Sequence, residues 1–405
     1  MTTEALDRIP SHVPPSLILD ANPWQSSEEL PHDWMLRVAG GKGFRYSLHN
    51  PLAHSLGDGC WIALGAKEIR AVLIDNRNFV CRDSTGVGQL IGQDLVLAPL
   101  ESDWPDHQRL RGILQPIFQP NAVKSLSGRI RLLAMDLIGK FADRGRCDFI
   151  HDFAVKLPTQ IFMEMMGLPL ADLPQFLEWE DIIMGRSEPE RMAETWLKIR
   201  AYVEAEIAQR RQVPRDDLLG HIVAETEKQG VNPEAEALGM VMILIVAGLD
   251  TVVTALGWHF KYLAEHPGEQ ERLRNEPSLI PAAVDELLRA YSFTTLTRTA
   301  VRDIEICGVQ MKAGDKVVCP TILGSRDPRD YVDAASVKLE RGAMRHLGFG
   351  FGQHICLGMH LARLELIIAI ECWLAGVPQF SLAAGYRPRW HGGISLGLDN
   401  LELEW

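Results

Sequence analysis

A cysteine in a glycine-rich loop is the strongest chemical signal in the chain. Cys356 lies near the end of the run FGFGQHICLG, which spans 349–358, and a strongly periodic apolar segment follows it. The glycines of this run predict a tight loop that other groups can approach closely. Backbone N–H groups at the start of the following helix would stabilise a thiolate. From these residues alone, Cys356 is a buried core residue, a nucleophile beside a histidine, or a thiolate ligand for iron.

A second candidate site is the acid–alcohol pair Asp250-Thr251, in the middle of a long apolar segment. The same helical face carries small or apolar side chains, at Leu244, Ala247, Gly248 and Thr251. A glycine inside a helix costs about 1 kcal/mol relative to alanine, so Gly248 needs a reason. Either that face admits a flat cofactor while Asp250 relays protons, or Gly248 is a packing contact and Asp250 belongs to a structural ion pair.

The elements that must position these residues are mainly helices. Amphipathic patterns predict helices over roughly 106–118, 121–143, 152–167, 172–185, 189–212 and 216–228. A longer helix is predicted over 233–266, and shorter ones over 281–291 and from Cys356 to about Leu374. Short strands are predicted within 44–64 and 296–325. Residues 1–40 are predicted to be irregular and 84–105 to form a long loop. The predicted fold class is mainly α with a small β region.

Composition narrows the function classes. A chain of 405 residues suggests two or three domains by length alone, and its net charge of −12 argues against non-specific nucleic-acid binding. Seven cysteines without CxxC spacing fit a reducing compartment. The longest uncharged run, Ala237 to Leu249, is shorter than the roughly 18 residues that span a bilayer. We therefore expect a cytoplasmic protein without a membrane segment.

The run 349–358 resembles the heme-ligand signature of the cytochrome P450 family. The stretches SHVPPSLILD, GCWIALGAKEIR, AGLDTVV and IPAAVDELLR extend the resemblance over nearly the whole chain, towards the bacterial camphor-hydroxylase branch. The resemblance implies one domain over 1–405, with heme b between the long helix and the Cys356 loop. Its β-containing parts would be 40–65, 296–325 and 375–405, and its helical parts 106–290 and 357–374.

The resemblance also implies residue roles. Cys356 would ligate the heme iron, and Asp250 and Thr251 would form the catalytic pair that delivers protons during dioxygen activation. The other residues implied to lie around the heme are His107, Arg111, Arg298, His354, Phe349 and Gly248. Glu286 and Arg289 would form a structural ion pair. Taken singly, each charged residue could equally be an ordinary surface group.

The implied activity is a monooxygenase reaction that uses O₂ and two electrons. In that branch the electrons come from a [2Fe-2S] ferredoxin, which a flavin reductase reduces with NADH. Such a partner is acidic, so a basic docking face that includes Arg109 and Arg111 is predicted on this acidic chain, with the enzyme as a monomer. Two alternatives remain at this point: a peroxide-driven oxidase of the same fold, and a heme-binding sensor or carrier without catalysis.

The predicted substrate is a small apolar molecule, of terpenoid or norisoprenoid type. The camphor branch holds its ketone with a loop tyrosine, whereas 84–105 contains none and Leu95 falls at that position. Without that hydroxyl a ketone cannot be anchored in the same way. The predicted pocket is lined by Leu95, Leu97, Leu244, Ala247, Thr294 and Ile394, although each of these could equally be an ordinary core residue. Leu296 replaces an aspartate that lies near a heme propionate in that branch.

Overall fold

The computed structural model describes residues 8–25, 29–51, 59–184, 187–341 and 345–405. The α-helices in these ranges are α1 (Pro31–Ala39), α2 (Ala66–Ile74), α3 (Val87–Leu90), α4 (Asp106–Leu114), α5 (Pro120–Lys124), α6 (Ser127–Gly139), α7 (Lys156–Met166), α8 (Leu173–Met184), α9 (Pro189–Gln212), α10 (Leu218–Gln229), α11 (Pro233–Glu265), α12 (Pro267–Asn275), α13 (Ile280–Ala290), α14 (Thr321–Ser325) and α15 (Met359–Gly376).

The strands are β1 (Ile18–Leu19), β2 (Phe44–Ser47), β3 (Cys60–Ala63), β4 (Phe79–Val80), β5 (Arg146–Asp148), β6 (Thr295–Ala300), β7 (Ile304–Ile306), β8 (Val309–Met311), β9 (Lys316–Pro320), β10 (Ser381–Leu382), β11 (Trp390–His391), β12 (Gly397–Leu398) and β13 (Glu402–Glu404). The largest sheet has the order β1-β2-β3-β9-β6-β4, and β10-β13-β5, β11-β12 and β7-β8 form smaller sheets. The predicted fold class, mainly α with a small β region, is confirmed.

Helix α11 runs through the core and organises the rest. It begins at Pro233, a favoured first-turn residue, and the Asn232 side chain accepts a hydrogen bond from the Ala235 N–H at 3.5 Å. By length and composition α11 could cross a membrane, but 67% of its most apolar window is buried inside the protein, as in the core helix of a globular fold.

Two hydrophobic clusters divide along this helix. Leu249 belongs to the cluster built with α7, α8, α9 and α10, whereas Val252 belongs to the cluster that contains the large sheet, α6 and α15. The two intervening residues, Asp250 and Thr251, therefore lie where the clusters meet. This position places a polar pair deep in the molecule without interrupting either apolar cluster.

The structure differs from the predicted elements in several places, which include helix α3 inside the predicted 84–105 loop and the unpredicted helix α12. The expectation that 1–40 is irregular was wrong for Pro31–Ala39, which forms α1 with Pro31 at its first turn. The predicted helix over 121–143 is broken into α5 and α6, because the Ser125 hydroxyl donates to the Ala122 carbonyl at 2.6 Å and competes with the helical ladder. Helix α2 was not predicted. By contrast, α9 has the predicted bounds.

Candidate active site

The Cys356 loop is folded back on itself before α15 begins. The Cys356 N–H donates to the Phe349 carbonyl at 2.8 Å. Gly350 and Gly352 have φ values of +75° and +76°, a backbone conformation that favours glycine. A Cβ on Gly352 would lie 2.7 Å from the Leu73 carbonyl oxygen, so this glycine also lets the loop pack on α2. The glycines thus fix the direction in which Cys356 points.

The Cys356 thiol is accessible yet enclosed by protein. Its side chain has exposed surface, but burial raises its pKa, and this effect outweighs the Gly358 N–H and the charges of Arg111 and Arg363, which lower it. The expected stabilisation by backbone N–H groups is therefore present but insufficient by itself. A thiolate at this position needs a cation bound to the sulfur, which an iron ligand has.

The middle of α11 presents accessible atoms where its neighbours are buried. Ala247 and Thr251 are exposed, whereas Leu249 and Val252 are buried. Surface exposed in the centre of a core helix borders an internal cavity. The Thr251 hydroxyl donates to the Ala247 carbonyl at 3.0 Å, so it is held on this side of the helix.

Gly248 serves packing. A Cβ on Gly248 would lie 2.7 Å from Cδ2 of Phe162, which belongs to α7. The absent side chain therefore makes room for an aromatic ring of a neighbouring helix. This contact supports the packing alternative for Gly248, and its place beside the cofactor stays a prediction.

Asp250 is buried and held by neutral donors. Its Oδ1 accepts a hydrogen bond from the Thr254 hydroxyl at 3.2 Å, and the Ser395 side chain also bonds to it. Burial raises the pKa of Asp250, and the nearby His391 together with these hydrogen bonds opposes the rise. Within the described ranges no lysine or arginine pairs with Asp250. The carboxyl therefore holds a proton at higher pH than an exposed aspartate does.

A second carboxyl, Glu180 of α8, lies near Asp250. Glu180 is buried, and its Oε2 has no hydrogen-bond partner among the described residues. Burial raises its pKa well above the usual value, and the Asp250 charge adds to the rise. Two carboxyls at one site do not both ionise readily. The amphipathic pattern of α8 gave no sign of this contact.

Four cationic or N–H-bearing side chains gather beside the Cys356 loop. The rings of His107 and His354 have centroids 4.0 Å apart. Burial, together with the charges of Arg111 and Arg298, lowers the pKa of His107 to about 4 and that of His354 to about 2. Both rings are therefore neutral near pH 7. The His107 Nε2 has no partner among the described residues.

The two arginines of this group bond only to carbonyl oxygens in the described chain. Arg298 is 4% exposed and donates to the Thr297 carbonyl at 2.8 Å. Arg111 donates to the Ile355 carbonyl at 2.7 Å. Among the described residues, no carboxylate forms an ion pair with either guanidinium. A buried cation without a counter-ion is strongly destabilising, so this group fits an anionic ligand.

The residues fit a heme with its two propionates. The group formed by His107, His354, Arg111 and Arg298 supplies donors for two carboxylates, and the enclosed Cys356 thiol lies at the adjoining loop. Phe349 lies in that loop, and the Arg363 guanidinium stacks over its ring at 4.7 Å. Leu296 reaches Gly350, since its Cδ1 lies 3.4 Å from a Cβ built there, and offers no polar contact.

Only some of the residues predicted to line the substrate pocket have solvent-accessible side chains. Ala247 and Ile394 are exposed, and Leu244 and Thr294 are partly exposed. Leu95 and Leu97 are only 5% and 1% exposed and belong to the hydrophobic cluster around α7 to α10. This burial favours a core role for both leucines, and their assignment as pocket residues stays a prediction.

The loop over 84–105 explains this burial, because the Glu101 carboxylate ties it together. Glu101 accepts hydrogen bonds from the Thr85 N–H at 2.8 Å, the Thr85 hydroxyl at 2.6 Å and the Leu97 N–H at 3.0 Å. The loop thus folds on itself and turns its leucines inward. A glutamate that binds residues so far along the chain leaves no sequence signature.

The predicted ion pair Glu286–Arg289 is fully buried and bidentate, with N–O distances of 2.8 Å. Arg289 also donates to the carbonyls of Ser325 and Ala334. Arg341, which sequence reasoning missed, adds contacts to both Glu286 oxygens at 3.1 Å from 55 residues away. This cluster joins α13 to the chain that leads towards the Cys356 loop.

Arg109 does not offer a free positive charge. Its guanidinium pairs with Glu236 at 2.7 Å and with Asp106 at 3.3 Å. The prediction that Arg109 contributes to a basic docking face is corrected accordingly. Arg111 remains beside the Cys356 loop through its bond to Ile355, which is 36% exposed.

Comparisons with known proteins give one consistent result. A sequence model described as "Cytochrome P450" matches residues 156–376. "Probable cytochrome P450 127A1" of Sinorhizobium fredii (strain NBRC 101917 / NGR234) is 35% identical, covering 98% of this chain and 97% of that protein. "Mycinamicin IV hydroxylase/epoxidase" of Micromonospora griseorubida is 32% identical, covering 86% of each. The crystal structures of CYP101C1 and CYP101J2 superpose with TM-scores of 0.86 and 0.85 at 30% and 29% identity, each covering 98% of this chain and 99% of that chain.

Proposed function

The chain belongs to the cytochrome P450 family and is a heme-thiolate monooxygenase, and on this premise we propose that it hydroxylates a small apolar substrate with electrons from a [2Fe-2S] ferredoxin. The observation that carries the assignment of roles is the position of the Cys356 thiol, enclosed by protein beside four donors that lack a described anionic partner. The proposed substrate class is a terpenoid or norisoprenoid.

Cys356 would bind the heme iron, and His107, His354, Arg111 and Arg298 would hold the two propionates. When bound, the heme supplies the activation of dioxygen and the insertion of one oxygen atom into a C–H bond. Overall the reaction converts RH, O₂, two electrons and two protons to ROH and H₂O. The protein must therefore deliver two protons per turnover into a site that excludes bulk water.

Asp250 and Thr251 are the residues proposed to handle these protons. The raised pKa of Asp250 lets its carboxyl hold a proton and release it. The Thr251 hydroxyl, fixed by the Ala247 carbonyl, faces the cavity from the next residue. The peroxide-driven alternative needs no such supply, because peroxide carries its own two protons and two electrons.

The proposed substrate class follows from the side chains that line the cavity, on α11 and near residues 294 and 394. Leu244, Ala247 and Ile394 offer apolar surface, and Thr294 offers the single hydroxyl among these residues. The 84–105 loop has no tyrosine to anchor a ketone. Affinity for such a substrate would come mainly from apolar burial, at about 25 cal/mol per Å².

The electron donor is proposed to dock over the Cys356 loop. Ile355 is exposed there and Arg111 lies directly beside it. An acidic ferredoxin would approach this point through the Arg111 charge against an otherwise acidic surface. We also propose a cytoplasmic monomer organised as a single domain.

The first experiment is the absorption spectrum of the reduced, CO-bound protein. We expect the strongly red-shifted Soret band that a thiolate ligand produces. The Cys356→His variant should still bind heme but should not show this band. A wild-type spectrum typical of histidine ligation would refute the role of Cys356.

The second experiment screens substrates by the heme spin-state change. Monoterpenoids and norisoprenoids should shift the spectrum at micromolar concentration, whereas long-chain fatty acids and macrolides should not. Saturable shifts with either of the latter classes alone would overturn the substrate proposal.

The third experiment separates ferredoxin-driven from peroxide-driven turnover. With NADH, reductase and ferredoxin, Thr251→Ala should lower product per NADH at least about tenfold, whereas Thr226→Ala, a change of a buried threonine in α10, should leave it unchanged. Faster wild-type turnover with peroxide than with the ferredoxin system, together with unchanged coupling in Thr251→Ala, would favour the peroxide-driven alternative.

A further inference from the structure

A line of polar side chains leads from the protein surface to Asp250. At its outer end, Asp399 is 42% exposed at the side chain and lies 2.9 Å, Oδ1 to Nδ1, from His391. His391 ends β11, which pairs with β12 in the register His391↔Gly397. The hairpin therefore holds one face of the imidazole near solvent and directs the other inward.

The inward nitrogen of His391 faces Thr254. The His391 Nε2 is buried and has no hydrogen-bond partner among the described residues. A Cβ built on Gly397 would lie 2.4 Å from that Nε2 and 3.2 Å from the Thr254 Oγ1. The ring nitrogen and the hydroxyl therefore both lie beside Gly397, and the imidazole takes up space that a larger side chain at this position would fill.

Thr254 carries the line to Asp250. Its Oγ1 donates to Asp250 Oδ1 at 3.2 Å and lies 3.4 Å from the Ser395 Oγ. Thr254 and Ser395 are 3% and 8% exposed, so both hydroxyls are shielded from solvent. A buried, unpartnered nitrogen and two buried hydroxyls aimed at one carboxyl are costly unless they have a role.

We infer that Asp399, His391, Thr254 and Ser395 form a proton path from solvent to Asp250. The inference rests on the proposed function, in which each turnover consumes two protons and two ferredoxin electrons. Asp399 takes a proton from solvent and passes it to His391 Nδ1, and the ring releases the proton that it carries on Nε2. One water molecule between Nε2 and the Thr254 hydroxyl carries this proton on, and Thr254 passes its own proton to Asp250. The imidazole ring and the hydroxyl then rotate back, which restores the Nε2–H tautomer before the next proton is taken up.

The rival entry is Glu180, the other titratable group that faces Asp250. It approaches from α8, and its Oε2 contacts no described donor. Asp181, next to it in α8, adds only negative charge. Glu180 thus lacks the hydroxyl groups of Thr254 and Ser395, which on the His391 side lie within reach of the Asp250 carboxylate.

The test uses the heme-loaded enzyme with its ferredoxin chain. Thr254→Val removes the hydroxyl at nearly constant volume, and Thr254→Ser restores a hydroxyl. We expect Thr254→Val and His391→Gln to lower product per NADH at least about tenfold, with a larger solvent deuterium isotope effect. Thr254→Ser should recover most of the coupling, and Thr226→Val should behave as wild type. Peroxide-driven turnover should not change in any of these variants.

A readout independent of turnover is the ¹⁵N NMR signal of the His391 Nε2. It should shift in Thr254→Val and stay unchanged in Glu180→Gln. Full coupling in both Thr254→Val and His391→Gln, or a loss confined to Glu180→Gln, would overturn the proton path. A wild-type enzyme that makes no product with ferredoxin but does so with peroxide would refute the proposed function instead, while the NMR link between His391 and Thr254 would still be observed.

Discussion

Three glycines in the core helix α11 make a graded test of why each is there. Replacing a helical glycine by alanine gains about 1 kcal/mol from backbone propensity. The atoms that the new methyl group contacts then decide whether the substitution raises or lowers the free energy of unfolding. The nearest atom to a Cβ is Ile150 Cδ1 at 3.0 Å for Gly257, Phe162 Cδ2 at 2.7 Å for Gly248, and the Val96 carbonyl oxygen at 2.1 Å for Gly239.

The expected free energies of unfolding follow from the mobility of these neighbours. The Ile150 methyl is the end of a flexible side chain, so Gly257→Ala should be neutral or stabilising by up to about 1 kcal/mol. The Phe162 ring is packed in a core, and overpacking costs about 1–3 kcal/mol, so Gly248→Ala should lose about 1 kcal/mol net. The Val96 backbone must move for Gly239→Ala, so that loss should reach about 3 kcal/mol or more.

The assay is urea unfolding of the heme-loaded protein, followed both by circular dichroism and by the Soret absorbance. The stability order should be Gly257→Ala, wild type, Gly248→Ala, Gly239→Ala. Phe162→Leu should rescue Gly248→Ala, so that the double variant is more stable than the sum of the single effects. If Gly248→Ala instead weakens heme binding at unchanged stability, and Phe162→Leu gives no rescue, the packing explanation is refuted and the cofactor explanation is right.

Three further predictions use other contacts. Arg289→Met removes one of the two arginines that pair with the buried Glu286 carboxylate and should lower the free energy of unfolding by about 3 kcal/mol, measured by urea unfolding, whereas Arg272→Met in an exposed pair should leave it nearly unchanged. Burial lowers the pKa of His259 to about 3, whereas the histidine of the unfolded chain binds its proton below about pH 6.5. The wild-type free energy of unfolding should therefore fall by about 1.4 kcal/mol per pH unit below about pH 6.5 on account of this residue. His259→Leu should remove that part of the pH dependence, measured between about pH 7.5 and 5. Arg109→Gln should leave the salt dependence of ferredoxin-driven reduction unchanged, because acidic partners already compensate its charge; an altered slope would mean that Arg109 touches the donor.

Local patterns were enough to predict the elements that hold the site. Continuous apolar composition and Pro233 predict α11, and the glycine run with the periodic segment after it predicts the Cys356 loop and α15. These features depend on residues close together in the chain, where helix periodicity and glycine conformation act directly. The resemblance supplied the family and heme b, which the comparisons confirm.

Contacts between distant segments could not be predicted. Arg341 reaches Glu286 from 55 residues away, and Glu101 turns Leu95 and Leu97 into the core by binding backbone N–H groups of its own loop. Both depend on where a charged side chain finds buried donors, and neither changes the periodicity of the sequence. The packing around Gly248 could not be predicted for a related reason, since only the position of Phe162 shows that this glycine lets two helices approach each other.

The meeting point of the two hydrophobic clusters explains why the proton-handling groups are divided between distant elements. Asp250 is buried at the centre of α11 and needs buried partners, whereas Thr251 is exposed towards the cavity. Thr251 uses the helix itself through the Ala247 carbonyl, and it can therefore be recognised from the helix sequence alone. Asp250 does not bond to the α11 backbone in this way. It bonds to Ser395, and His391, which lies beside Gly397, is the nearby group that can carry a positive charge. The proposed route from solvent to Asp250 therefore follows the hairpin that supplies those partners, and its residues can be identified only once the fold brings the hairpin against α11.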